Sequence, residues 1–100
     1  MLRHVVVFRF REGTPPEAVS AIADGLGGLP AAIPEIRAYR FGSDAGYNEG
    51  NFEFAVTADF ADEADYLVYR DHPQHQQVIK DLIAPHIAER AAVQFPLEAD

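Results

Sequence analysis

Two segments constrain this chain more than any others: "LRHVVVFRF" at residues 2–10 and "NFEFAVTADF" at residues 51–60. Each alternates with the period of a β-strand, which sends successive side chains to opposite faces. In the first, Leu2, His4, Val6, Phe8 and Phe10 share one face, and Arg3, Val5, Val7 and Arg9 share the other. In the second, Phe52, Phe54, Val56, Ala58 and Phe60 lie opposite Glu53, Ala55, Thr57 and Asp59. Laid antiparallel, Arg3 faces Asp59, Arg9 faces Glu53, Val5 meets Thr57 and Val7 meets Ala55. On the other face His4, Val6, Phe8 and Phe10 meet Ala58, Val56, Phe54 and Phe52. Opposite charges and apolar pairs fall into place together, as a real register requires.

The remaining elements follow from local signals. "TPPEAVSAIADGLGGLP" predicts a helix, with Thr14 and Glu17 at capping-box spacing, Pro15 suited to the first helical position, and a buried stripe of Val19, Ile22, Ala23 and Leu26. Gly27 and Gly28 offer its stop. "IRAYRF" reads as a second strand and "GSDAGYNEG" as turn chemistry. "ADEADYLVYR" reads as a short helix with Ala64, Leu67 and Val68 inward, and Pro73 disfavours helical geometry at His72. A further helix runs through "QHQQVIKDLIA" to Pro85, and "ERAAVQF" is a fourth strand ending near Pro96. This order fits an α+β fold over residues 1–100: one domain with a ferredoxin-like, four-stranded antiparallel sheet and helices on one face.

The phenylalanine face is the one the helices must cover. Val5, Val7 and Ala55 are then left on the outer face, rimmed by charge, and a second copy is the simplest partner for such a patch. The expectation is a homodimer with sheets packed face to face; a solvent-facing sheet with a few valines is the plainer alternative. A net charge of −8 with a single lysine argues against nucleic acid or an anionic membrane surface as partner. The apolar run of "MLRHVVVFRF" is too short for a signal peptide or a membrane span, and the absence of cysteine removes disulfides, thiolate metal sites and thiol nucleophiles. The cytoplasm is the default location.

Chemistry concentrates in "DYLVYRDHPQH" at residues 65–75. His75 shares a helical stripe with Ile79 and Leu82 and so points inward, toward the face on which His4 stands. With Tyr69, these imidazoles converge on a space lined by Phe8, Phe54 and Ile79, with His72 at the joint: polar groups in an apolar pocket suited to a small hydrophobic or aromatic ligand. His72 and His75 lack further residues at ligand spacing, so a metal site is disfavoured. No Ser–His–Asp spacing, phosphate-cradling glycine loop or nucleotide fingerprint is present.

"HVVVFRF", "GLPAAIPEI", Phe60 ahead of the third helical segment and above all "YRDHPQH" resemble the stress-responsive α/β-barrel (Dabb) family of the dimeric α+β barrel superfamily, over nearly the whole chain. The resemblance implies ferredoxin-like protomers that dimerise through their sheets into a barrel. The family includes plant polyketide cyclases, whose catalytic tyrosine and histidine match Tyr69 and His75, with His4 lining the same pocket. In an aldol-type ring closure, His75 is the expected base, since imidazole titrates near ~6.5. Tyr69 is the expected hydrogen-bond donor to the carbonyl oxygen. No cofactor is needed. In some members a cation sits on main-chain oxygens before the second strand, here around Pro30 to Ile36.

Other readings stand beside this one. His72 reads most simply as a joint that bonds a helix end, Tyr69 and His4 as satisfied core residues, and His86 as a partner for helix-end carbonyls. At the level of function, the alternatives are a cofactor-independent monooxygenase, as in the wider superfamily, and a non-catalytic stress-response or ligand-binding dimer.

Overall fold

A strand that is apolar on both faces belongs in the interior of a sheet. In the computed structural model, which describes residues 1–98, β1 (Leu2–Phe10) lies between β3 (Phe54–Phe60) and β4 (Ile87–Pro96) and is antiparallel to both. β2 (Ala38–Ser43) extends the sheet beyond β3, giving the order β2-β3-β1-β4. The β1–β3 register is the one expected from charge and apolar matching, from Leu2 opposite Phe60 to Phe8 opposite Phe54. It stops there, where β3 begins, and on the other edge the β1–β4 register shifts between Arg9 and Phe10. Arg9 therefore does not pair with Glu53. Its guanidinium donates to Glu89 at 3.0 Å and to the carbonyls of Gly50 and Asn51, while Glu53 accepts from the Phe10 N–H.

All helices pack on one face: α1 (Pro16–Gly27), α2 (Leu29–Ala32), α3 (Glu63–Asp71) and α4 (Pro73–Val78), which runs on into a π-helical turn at Ile79–Ile83. α1 buries Ile22 and Leu26, as its stripe predicts. Its start differs. Pro16 forces Pro15 into extended backbone at the cap position, so the Thr14 hydroxyl closes the preceding turn onto the Arg11 carbonyl at 2.7 Å. In α3 the Asp62 carboxylate accepts from the Asp65 N–H at 2.9 Å and fixes the first turn. That phase sets Tyr66 and Tyr69 toward the sheet and leaves Ala64 and Val68 exposed, with Leu67 half-buried. The two rings bury more apolar area than the aliphatic stripe would have.

The opposite face of the sheet has no helix over it. Val5 and Val7 stand there next to Val93 and Ala91 of β4, and Phe95 extends the apolar surface beyond Arg3. At its margin Arg3 grips the buried Asp59 through two bonds of 2.7 and 2.8 Å. The guanidinium holds the Asp59 carboxyl below the usual carboxylate range. Among the described residues no helix is long and apolar enough to cross a membrane.

Arg3 remains 38% exposed, so water screens the pair. Asp59→Asn is expected to cost about 1–2 kcal/mol at pH 7. The carboxylate's contribution is complete above the unfolded value of ~3.9 and is lost as pH falls through the lower folded value. Urea denaturation of both proteins should therefore show a gap at pH 7 that narrows below about pH 4; a gap independent of pH would contradict this role for the ion pair.

Candidate functional site

The alternation of β1 sends His4, Val6 and Phe8 to the helix side of the sheet, where they floor a cavity of about 270 Å³. Tyr66 and Tyr69 of α3, His75 of α4, and Ile79 and Ile83 of the π turn form its walls, and Arg90 enters from β4 opposite Phe8. Such a mainly apolar cavity with a few convergent polar groups is the usual form of a small-molecule site.

The imidazole of His75 is positioned by the helix break beside it. Pro73 interrupts the helix, and the Gln74 N–H, which an unbroken helix would direct to the Arg70 carbonyl, instead meets His72 Nδ1 at 3.1 Å. The Arg70 carbonyl is thus left for side chains. Gln76 Nε2 donates to it, and so does His75 Nδ1 at 3.1 Å. Because a carbonyl only accepts, Nδ1 carries the ring hydrogen and neutral His75 presents the lone pair of Nε2. The ring lies stacked on Tyr69, centroids 4.0 Å apart. Burial draws the His75 pKa below the ordinary imidazole value, against the raising effect of the Arg70 and Tyr69 carbonyls; the charges of His72 and Arg90 add to the lowering.

His4 is more strongly affected. Burial, then the charges of Arg90 and His75, pull it down to about 4, and its Nδ1 pairs with the Gln94 amide at 2.8 Å. The Tyr69 hydroxyl meets that of Tyr39, on β2, at 2.8 Å. Burial pushes Tyr69 up to about 12 and raises Tyr39 as well, so both phenols keep their hydrogens at neutral pH.

Of the residues singled out in the sequence, His4, Phe8, Tyr69, His75 and Ile79 surround the cavity. His72 and Phe54 do not. His72 is half-buried and turns its ring back to cap α4, while Phe54 is buried between Phe8 and Phe41. His86 gives its N–H to the Ile83 carbonyl and accepts from Arg11 on its own carbonyl, a strand-entry joint. Sequence reasoning passed over Tyr39, Tyr66, Gln94 and Arg90. Gln94 and Arg90 become visible only once the β1–β4 register sets them opposite His4 and Phe8. Among the described residues no group of three or more His, Cys, Asp or Glu side chains comes together as a metal site.

A four-stranded antiparallel sheet with helices on one face and a histidine–tyrosine cavity between the layers defines a ferredoxin-like α+β protein. The chain belongs to the stress-responsive A/B barrel domain (Dabb) family, whose profile matches residues 2–97. It is similar to a dimeric ferredoxin-like protein of unknown function from Thermobifida fusca YX, at 44% identity over 96% of this chain and 90% of that one, with a TM-score of 0.89. A dimeric ferredoxin-like protein of unknown function from Bacteroides fragilis matches at 27% identity over 96% and 95%, TM-score 0.84. The hydroxynitrile lyase of Passiflora edulis shares the fold at 20% identity over 99% and 94%, TM-score 0.84. No curated protein matches the chain.

Nitrogen-detected NMR titration should find His4 neutral down to about pH 4 and His75 titrating below ~6.5 with its hydrogen on Nδ1. Both groups bind protons more weakly when folded, so each subtracts stability as pH falls below the unfolded value of ~6.5. A His75 carrying its hydrogen on Nε2 would contradict the carbonyl contact.

Proposed function

We propose that this chain is a small-molecule-binding protein whose cavity catalyses proton transfer at carbon, as in the aldol-type ring closure of a β-polyketide. The observation that carries the reading is the hydrogen bond from His75 Nδ1 to the Arg70 carbonyl, which leaves Nε2 as a base in an apolar cavity. His75 Nε2 takes a proton from carbon flanked by two carbonyls, and the enolate carbon attacks a second carbonyl of the same molecule. The imidazolium then returns the proton to the new alkoxide, and loss of water completes the ring. Tyr69 donates a hydrogen bond to the oxygen on which charge develops. This role requires Tyr39 to be the donor where the two hydroxyls meet, which leaves the Tyr69 hydrogen for substrate and strengthens its polarity. His4, Phe8 and Ile79 would hold the apolar body of the ligand. No step calls for a cofactor, and a cysteine-free chain suits the reducing cytoplasm we take as its compartment.

The test is deuterium exchange at the carbon between the carbonyls of β-diketone and β-polyketide probes. His75→Ala should lose about a hundredfold or more of the exchange rate while keeping its fold, and Tyr69→Phe should lose part of it. Because the base must be neutral, the wild-type rate should be flat through neutrality and fall only below the depressed pKa of His75. Equal exchange by a folded His75→Ala protein would remove the catalytic reading.

The same reading makes the chain a homodimer through the uncovered sheet face, with Val5, Val7 and Ala55 joined by Ala91, Val93 and Phe95. The dimeric relatives from Thermobifida and Bacteroides support it. Val93, 54% exposed in the protomer, would then be buried by the partner. Val93→Asp is expected to give a folded monomer in sedimentation velocity; an unchanged oligomeric state would place the interface elsewhere.

A further inference from the structure

The cavity wall is unlike the rest of the chain in its charge. The sequence carries 16 acidic residues against 8 basic ones, yet no aspartate or glutamate lines the cavity and two arginines do. Arg70 is already engaged, since its guanidinium makes two bonds to Asp71 at 2.9 and 3.1 Å. Arg90 is different. It faces the cavity from β4, opposite Phe8, and among the described residues no carboxylate pairs with it. Arg90 is exposed to solvent in the protomer, yet it stands on the helix side of the sheet and at the cavity wall, in the row that includes Gln94 against His4. Its charge reaches both imidazoles of the cavity, for it contributes to the lowered pKa values of His4 and His75.

We infer that the cavity selects an anionic ligand, an apolar or aromatic body ending in a carboxylate, and that Arg90 is the residue that recognises the carboxylate. The planar guanidinium can donate two parallel hydrogen bonds to a carboxylate, which a neutral donor or an ammonium group cannot reproduce in the same geometry. With Arg90 and His75 both at the cavity wall, the ligand would be held with its apolar part along Phe8, Ile79 and Ile83. The acidic chain repels anions at long range, so selection has to come from this local contact and not from the overall field. This inference rests on the cavity being a small-molecule site, and adds to that reading the chemical class of what enters it.

The experiment uses a series of aryl-alkanoates of graded chain length, each with its neutral primary amide, titrated against wild type, Arg90→Gln and Arg90→Lys with a check of folding by circular dichroism. At least one carboxylate should bind wild type about tenfold more tightly than its amide. That preference should vanish in Arg90→Gln, survive in part in Arg90→Lys, and weaken as salt is raised. Equal affinity of acid and amide for wild type, or a preference that persists in folded Arg90→Gln, would overturn the role of Arg90 and leave the cavity a ligand site. Binding of neither series at any length would overturn the small-molecule reading itself, and this inference with it.

Discussion

The architecture depends on β1 having two apolar faces. Hydrophobic burial rewards covering both, and a strand can be covered on both only if it has neighbours on each edge and a layer on each side. The neighbours are β3 and β4, and one layer is the set of helices. Charge then decides what apolar contact alone leaves open. Arg3 against Asp59 fixes β1 relative to β3, since a slip of one residue would send either Asp59 to the helix side or His4 to the outside. The inward direction of His4, and with it the floor of the cavity, follows from that register.

The other half of the cavity depends on a missing hydrogen bond. Proline at position 73 ends α3, and His72 takes the first free N–H of α4. One helical carbonyl is thereby released at the end of α3, and His75 and Gln76 both turn to it. His72 is therefore connected to the chemistry through the backbone, although it does not touch the cavity. The histidine with the plainest structural task sets the tautomer of the one with the most chemical promise.

Legibility in the sequence follows the range of the interactions. The central strands, their register and the helix break could be read because period-two alternation, opposite charges and a proline act over neighbouring positions or along two well-marked strands. The tyrosine face of α3 was hidden because Ala64, Leu67 and Val68 offer a competing aliphatic stripe, and only the Asp62 cap settles the phase. In the cavity, His75, Tyr69 and His4 were legible from one short motif and one strand. Tyr39 and Arg90 were not, because each reaches the site across a strand pairing whose register the sequence leaves unmarked: β2 is short, and the adjacent Ala91 and Ala92 of β4 suit either face. Phe54 misled for the opposite reason. Its period is right, but it lies on the β2 side of the sheet, where other aromatic rings fill the space.

The π turn at Ile79–Ile83 is, in geometric terms, an α-helix holding one residue more than its length requires, with the Ala84 N–H reaching back to the Ile79 carbonyl at 2.7 Å. An extra residue rotates everything after it by about 100° relative to everything before it. The two ends of this helix can therefore be aimed independently. The imidazole at the front keeps its place on Tyr69, while Ile83 at the back is still delivered to the core and the chain enters β4 in the correct direction. A strictly regular helix would have tied the aim of the one to the anchorage of the other, and the surplus residue uncouples them.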